Sequence, residues 1–230
     1  MSLRIKAIVI IVALVALFLG LRLMVHLLVI MPSAEKLELK ASQRDSERVS
    51  AELAKVTEAI SLTLTDYAYW DDAYNFAKGT NPTFQDEQIL PSAFQRMGID
   101  FFAMYDHQGG MLLQSQGGDL PSQSAFAEAF PVDKKLPYGA LLIPETLTEL
   151  PSGLLNTSHG PLLFCTANIL TNDQTGPPAG RMLMARHMSR QRWVELGALA
   201  QTTVRPYFPG TPYPASLRAL APGAYDGLEQ

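Results

Sequence analysis

Apolar and polar residues follow three rhythms along this chain, and each rhythm predicts a different element. Residues 7–30 have almost none: seventeen of the twenty-four are Ile, Leu, Val or Phe, interrupted by Arg22 and His26. Such residues, at roughly −0.3 to −0.6 kcal/mol each, outweigh the roughly +3 kcal/mol of one arginine. Arg22 also lies near enough to one end for its stem to reach the interface. The run therefore predicts a transmembrane anchor over 7–31. A signal peptide would have a shorter apolar core and a small-residue cleavage site, and neither is present. Arg4 and Lys6 precede the run, while Glu35, Lys36, Glu38 and Lys40 behind it balance. The positive-inside rule then leaves residues 1–6 in the cytoplasm and everything after the span outside the cytoplasmic (inner) membrane, in the periplasm.

The second rhythm is helical. Val49, Leu53, Val56, Ile60, Thr63, Tyr67, Trp70, Tyr74 and Ala77 follow one another by alternating steps of four and three. A 3.5-residue repeat predicts one long helix, 33–78, packing that seam on a partner helix or on its own domain. Ser33 is its expected N-cap and Gly79 its C-terminal stop, ahead of Asn81-Pro82. Its last turns read DYAYWDDAYNF, Asp66 to Phe76, with three Tyr, one Trp, one Phe and three Asp in eleven positions. Tyr67, Trp70 and Tyr74 share a face of a continuous helix, Asp71 borders it, and Asp72 is turned about 100° away. Trp70 is expected to close the core, Asp71 to meet either loop amides or a ligand, and Asp72 to be solvated. As a catalytic acid/base pair the two aspartates fail, because adjacent helical side chains diverge.

The third rhythm has period two. After PTFQDEQILPSAFQRM, helical but broken at Pro91, the stretch GIDFFAMYDHQGGMLL alternates around a Gly109-Gly110 turn and reads as a hairpin. PSQSAFAEAF predicts a short helix with Phe126 and Phe130 on one side. GLLNTSHGPLLFCTANIL repeats strand–turn–strand around His159-Gly160, GRMLMARHM is a last strand, and SRQRWVELGALAQ is helical. The sum is an α+β domain: a long helix, then a single antiparallel sheet over 99–188 with short flanking helices. Residues 202–230, rich in Pro and Gly, are expected to be irregular.

Composition removes several functions. A net charge of −4 argues against a nucleic-acid partner. The lone Cys165 lies in an apolar strand and is expected to be buried and inert. Asp71, Asp72, Asp106, His107, His159 and His187 lack metal-ligand spacing, and no GxSxG, P-loop or dinucleotide motif is present. No enzyme, metal or cofactor is expected. Arg181, Arg186 and Arg190, in or beside the last strand, offer a cationic set for an anion.

The Tyr69-Trp70-Asp71-Asp72-x-Tyr74 cluster, the strand IDFFAMYDHQGGMLL and the block GLLNTSHGPLLFCTANILTNDQTGPPAGRMLMAR, behind an N-terminal anchor, carry a resemblance. Over about residues 35–201 the chain resembles the type-four CHASE domain, a sensory extracellular domain associated with cyclases and histidine kinases in bacteria. The resemblance implies a PAS-like or Cache-like sheet on the long helix, over 33–201, and a signal-input role in signal transduction. Members of that family return through a second membrane helix into an output domain. Here nothing after Gln201 is long and apolar enough, so a fragment or remnant lacking its output domain is expected. Gly117-Gly118-Asp119-Leu120 resembles a cyclase signature only superficially, since its Glu is missing. Tyr67, Trp70, Asp71 and Tyr74 are the candidate ligand-binding residues, for an unknown small molecule. The alternative is an interaction module that homodimerises through the long helix and binds no small molecule. A filled core beneath DYAYWDDAYNF favours the alternative, and a pocket there favours a sensor.

Overall fold

The computed structural model describes residues 3–26, 28, 31–132 and 146–204. Two compact units divide at Ser50/Ala51. The first contains α1 (Leu3–Val25) and the beginning of α2 (Met31–Ala68). Along α1 the large apolar side chains are exposed, among them Ile8, Leu14, Phe18 and Leu21. Among the described residues no helix is long and apolar enough to cross a membrane. Ser33 lies inside α2 rather than at its N-cap, because the helix already includes Met31.

In the second unit the rest of α2 is followed by α3 (Asp71–Ala77), α4 (Phe84–Gln88), α5 (Pro91–Arg96), β1 (Phe101–Asp106), β2 (Met111–Gln116) and α6 (Leu120–Ala129). Then come β3 (Ser152–Thr157), β4 (Gly160–Ile169), β5 (Gly180–His187) and α7 (Arg190–Leu199). The expected single helix over 33–78 is corrected: it breaks at Tyr69-Trp70, where Trp70 is extended (φ −122°, ψ 129°) and caps α3. The broken helix still stops where Gly79 (φ 77°) follows its last turn. The 202–230 tail lies outside the described residues from 205 onward.

The strands form one antiparallel sheet in the order β2-β1-β5-β4-β3. The two sequence-local hairpins are joined by β5, which pairs with β1 on one side and β4 on the other. Both faces are covered, so β1, β4 and β5 are buried almost throughout rather than alternating. On one face Phe101, Ala103, Leu183, Ala185, Leu162 and Phe164 pack against Ala125, Phe126, Ala129 and Phe130 of α6. The rings of Phe126 and Phe130 stack on Phe101 at 5.0 and 5.2 Å. The other face receives α2. Cys165 is buried there, its Sγ 3.2 Å from the Ser61 hydroxyl, and burial pushes its pKa up, which keeps the thiol protonated.

α2 meets the sheet through Ile60, Leu64 and Ala68, all buried. That stripe steps by four and leaves the expected seam after Ile60, since Thr63 is only half-buried. A straight helix against its own sheet follows its natural period near 3.6, whereas a 3.5 repeat belongs to a supercoiled partner helix. Ile60 is therefore a core residue of its own domain.

Candidate functional site

Breaking the helix at Trp70 divides the expected ligand-binding residues between two directions. Tyr67 and Trp70 enter a run of rings. Trp70 meets Tyr67 edge-on at 6.3 Å and Phe84 at 5.9 Å, and Phe84 also meets Phe76 at 5.4 Å. Tyr67 continues the run to Phe94 (5.3 Å) and Phe102 (6.3 Å), which stack on each other at 5.0 Å. Six rings from α2, α3, α4, α5 and β1 thus fill the space under the helix junction. Phe84 at the centre is wholly buried, whereas Trp70 is half-buried, less than its expected place at the core implies.

Asp71 and Tyr74 point instead to the β4–β5 loop. Asp71 Oδ1 accepts the Asn172 amide at 2.9 Å, and Asn172 Oδ1 accepts the Asp71 amide at 3.3 Å. The Tyr74 hydroxyl donates to the Pro177 carbonyl at 3.4 Å, and the Leu170 amide donates to the Ala68 carbonyl at 2.9 Å. Of the two roles foreseen for Asp71, the structure shows the bond to a loop amide. Asp72 departs from its expected solvation. It is half-buried with Asn81 Nδ2 at 3.4 Å, while Asp71 is the more exposed of the two. The α3 start after an extended Trp70 resets the phase on which the expectation rested.

A second set of side chains, missed by sequence reasoning, gathers where β1 begins and β5 ends. Asp100, buried, accepts both Arg192 guanidinium nitrogens, Nη2 at 3.0 Å, and the His187 amide at 2.9 Å. Arg192 Nη1 also donates to the His187 carbonyl at 2.7 Å. The buried His187 ring faces the His159 carbonyl with Nε2 (3.0 Å), and since a carbonyl only accepts, Nε2 carries a hydrogen. Its Nδ1 stands 3.0 Å from Ser122 Oγ, which donates to Asp119 Oδ1 at 2.6 Å. Gly160 fits here because its φ of 117° suits glycine and a Cβ would lie 2.9 Å from His187 Nε2.

Asp119 is the N-cap of α6, accepting the Ser122 amide at 3.0 Å, so Gly117-Gly118-Asp119-Leu120 is a helix-start sequence. The Ser122 hydroxyl and amide, with a smaller attraction from His187, hold the Asp119 carboxyl below its ordinary value of 3.8. Asp106 is a turn residue, its Oδ1 accepting the Gln108 and Gly110 amides at 2.7 and 2.8 Å. His107, His159 and Arg190 are exposed. Arg186 is half-buried with an unpartnered Nε, and burial followed by the neighbouring Arg192 lowers its pKa. Among the described residues no cluster of His, Cys, Asp or Glu is arranged to hold a metal.

A helix junction clamped to a five-stranded antiparallel sheet, with a covering helix on each face, defines an α+β domain. The sequence profile described as the CHASE4 domain matches residues 53–207, two thirds of the chain. The chain belongs to the CHASE4 family, whose domain is an extracellular sensory domain of signalling proteins and not a catalytic one. No curated protein matches it.

Proposed function

We propose that the chain is the signal-input module of a bacterial signal-transduction protein, held in the inner membrane by residues 7–31 with its sensory domain in the periplasm. It acts by binding a small molecule and not by catalysis, and passes the signal to an output domain. Family membership over 53–207 carries this reading. Support for the anchor comes from the apolar run of 7–30, from Arg4 and Lys6 before it, and from the exposed apolar side chains of α1.

The second reading, homodimerisation through α2 without a small-molecule ligand, is favoured by the rings that fill the space beneath Trp70. Half-buried Leu53 and Val56 are the seam residues it would use.

Membrane fractionation with protease treatment tests the main reading. The chain should stay with the membrane through an alkaline carbonate wash, and protease added to spheroplasts should digest the second unit. Release by the wash, or protection from external protease, contradicts it. For the alternative, Leu53→Cys should crosslink between chains under oxidation and Glu58→Cys should not.

A further inference from the structure

On the α6 face of the sheet, the core layer includes a polar row. Tyr105 of β1 is directly opposite Arg181 of β5, which is directly opposite Asn168 of β4. Residues opposed in this way share a face, with Cβ atoms about 5 Å apart. Tyr105 is 1% exposed, and its hydroxyl is buried with no hydrogen-bond partner. Arg181 Nε is likewise buried without a partner, and among the described residues Arg181 makes no ion pair. Gly180, next to it, lets β1 and β5 approach closely, since a Cβ there would lie 2.0 Å from the Tyr105 carbonyl oxygen.

The neighbours that might satisfy these groups are otherwise engaged. Asn168 Nδ2 donates to the carbonyls of Thr146 (3.2 Å) and Leu147 (3.3 Å). Asp106, next on β1, falls on the opposite face and its Oδ1 caps the hairpin turn. What remains is a pair of donors, the Tyr105 hydroxyl and Arg181 Nε, without a partner. The guanidinium is permanently charged and has no acceptor atom, and burial raises the Tyr105 pKa, which keeps its hydroxyl a neutral donor. Leaving two such donors unpaired in a core is costly, so the arrangement calls for something that accepts from both.

We propose that the Tyr105–Arg181 row binds the carboxylate of a small organic acid, the guanidinium fork taking one or both oxygens and the tyrosine hydroxyl donating to the same group. This deepens and rests on the sensory reading above, and moves recognition from the Trp70 junction to the opposite face of the sheet. Asn168 is a positioning residue, fixing the 146–147 backbone beside the row.

The test is calorimetric titration of the full chain in mild detergent with acetate, malonate and citrate. Inorganic phosphate, a neutral sugar and a diamine are titrated in parallel, all at matched ionic strength. At least one carboxylate should bind saturably. Arg181→Gln should weaken that binding about tenfold or more, as expected for losing a charge-assisted hydrogen bond, with a smaller loss in Tyr105→Phe. Should Arg181→Gln not fold, Arg181→Lys, which keeps the charge but not the fork, takes its place. Equal binding to Arg181→Gln, preference for phosphate, or no carboxylate binding overturns the proposal. Binding of the sugar or the diamine alone also overturns it, while leaving the sensory reading intact.

Discussion

β1 and β5 run antiparallel side by side, and the two ends of this one pair are built on opposite principles. At the Asp100–His187 end, polar side chains meet one another: Arg192 with Asp100, His187 with Ser122 and the His159 carbonyl, Ser122 with Asp119. At the Tyr105–Arg181 end, the tyrosine hydroxyl and the arginine Nε are buried without a partner. The first end ties together α6, α7, the β3–β4 turn and the start of β1, which is what a structural network does. At the second, Asn168 holds the 146–147 backbone, but the Tyr105 hydroxyl and Arg181 Nε take no part in a tie. The network at the first end serves cohesion, while the Tyr105 hydroxyl and Arg181 Nε at the second are kept for recognition.

The largest effect that sharpens this contrast belongs to the first end. Asp100→Ala should destabilise the domain by about 3–5 kcal/mol, because it strands the half-buried Arg192 guanidinium and the His187 amide. Denaturant unfolding measures it, and a loss below about 1 kcal/mol would remove the network from its structural role. Next comes the helix junction, which serves as a packing standard. Trp70→Ala should cost about 2–3 kcal/mol, under the roughly 3–5 of a fully buried ring, and the wholly buried Phe84→Ala should exceed it.

A pH dependence should follow at the first end. The folded state holds the Asp119 carboxyl below its ordinary 3.8, so the ionised form favours folding. That contribution is complete above the ordinary value and is lost as the pH falls through the lower, folded one. Melts taken from about pH 6 down to about pH 2 should show an acid-side loss of stability that Asp119→Asn reduces. An identical acid profile in the variant would contradict the cap geometry.

Much of this fold was legible because its signals are local. Pro91 splitting a helix, Gly109 turning a hairpin and Phe126 with Phe130 facing one way each follow from a few neighbouring residues. The break at Trp70 was not legible, since Tyr67, Trp70 and Tyr74 fit an unbroken seam, and the interruption comes from Phe84, Phe94 and the Asn172 loop. The insertion of β5 between β1 and β4 is equally non-local. It is also what brings Asp100 to His187 and Tyr105 to Arg181, so neither polar set had a sequence signature. The nearest signal was Ser122 three residues after Asp119, a cap spacing hidden behind two glycines. The charge of Arg181 was visible; that no acid among the described residues answers it was not.

The most direct measurement compares two single-hydroxyl deletions, Ser122→Ala and Tyr105→Phe, by denaturant unfolding of the full chain without added carboxylate. Both hydroxyls belong to buried residues, one at each end. Ser122→Ala should cost about 1–2 kcal/mol, since it leaves His187 Nδ1 facing nothing. Tyr105→Phe should lie within about 0.5 kcal/mol of wild type or above it, because it removes a group that had no partner to lose. A Tyr105→Phe loss equal to that of Ser122→Ala would show that its hydroxyl is already satisfied, and would contradict the account.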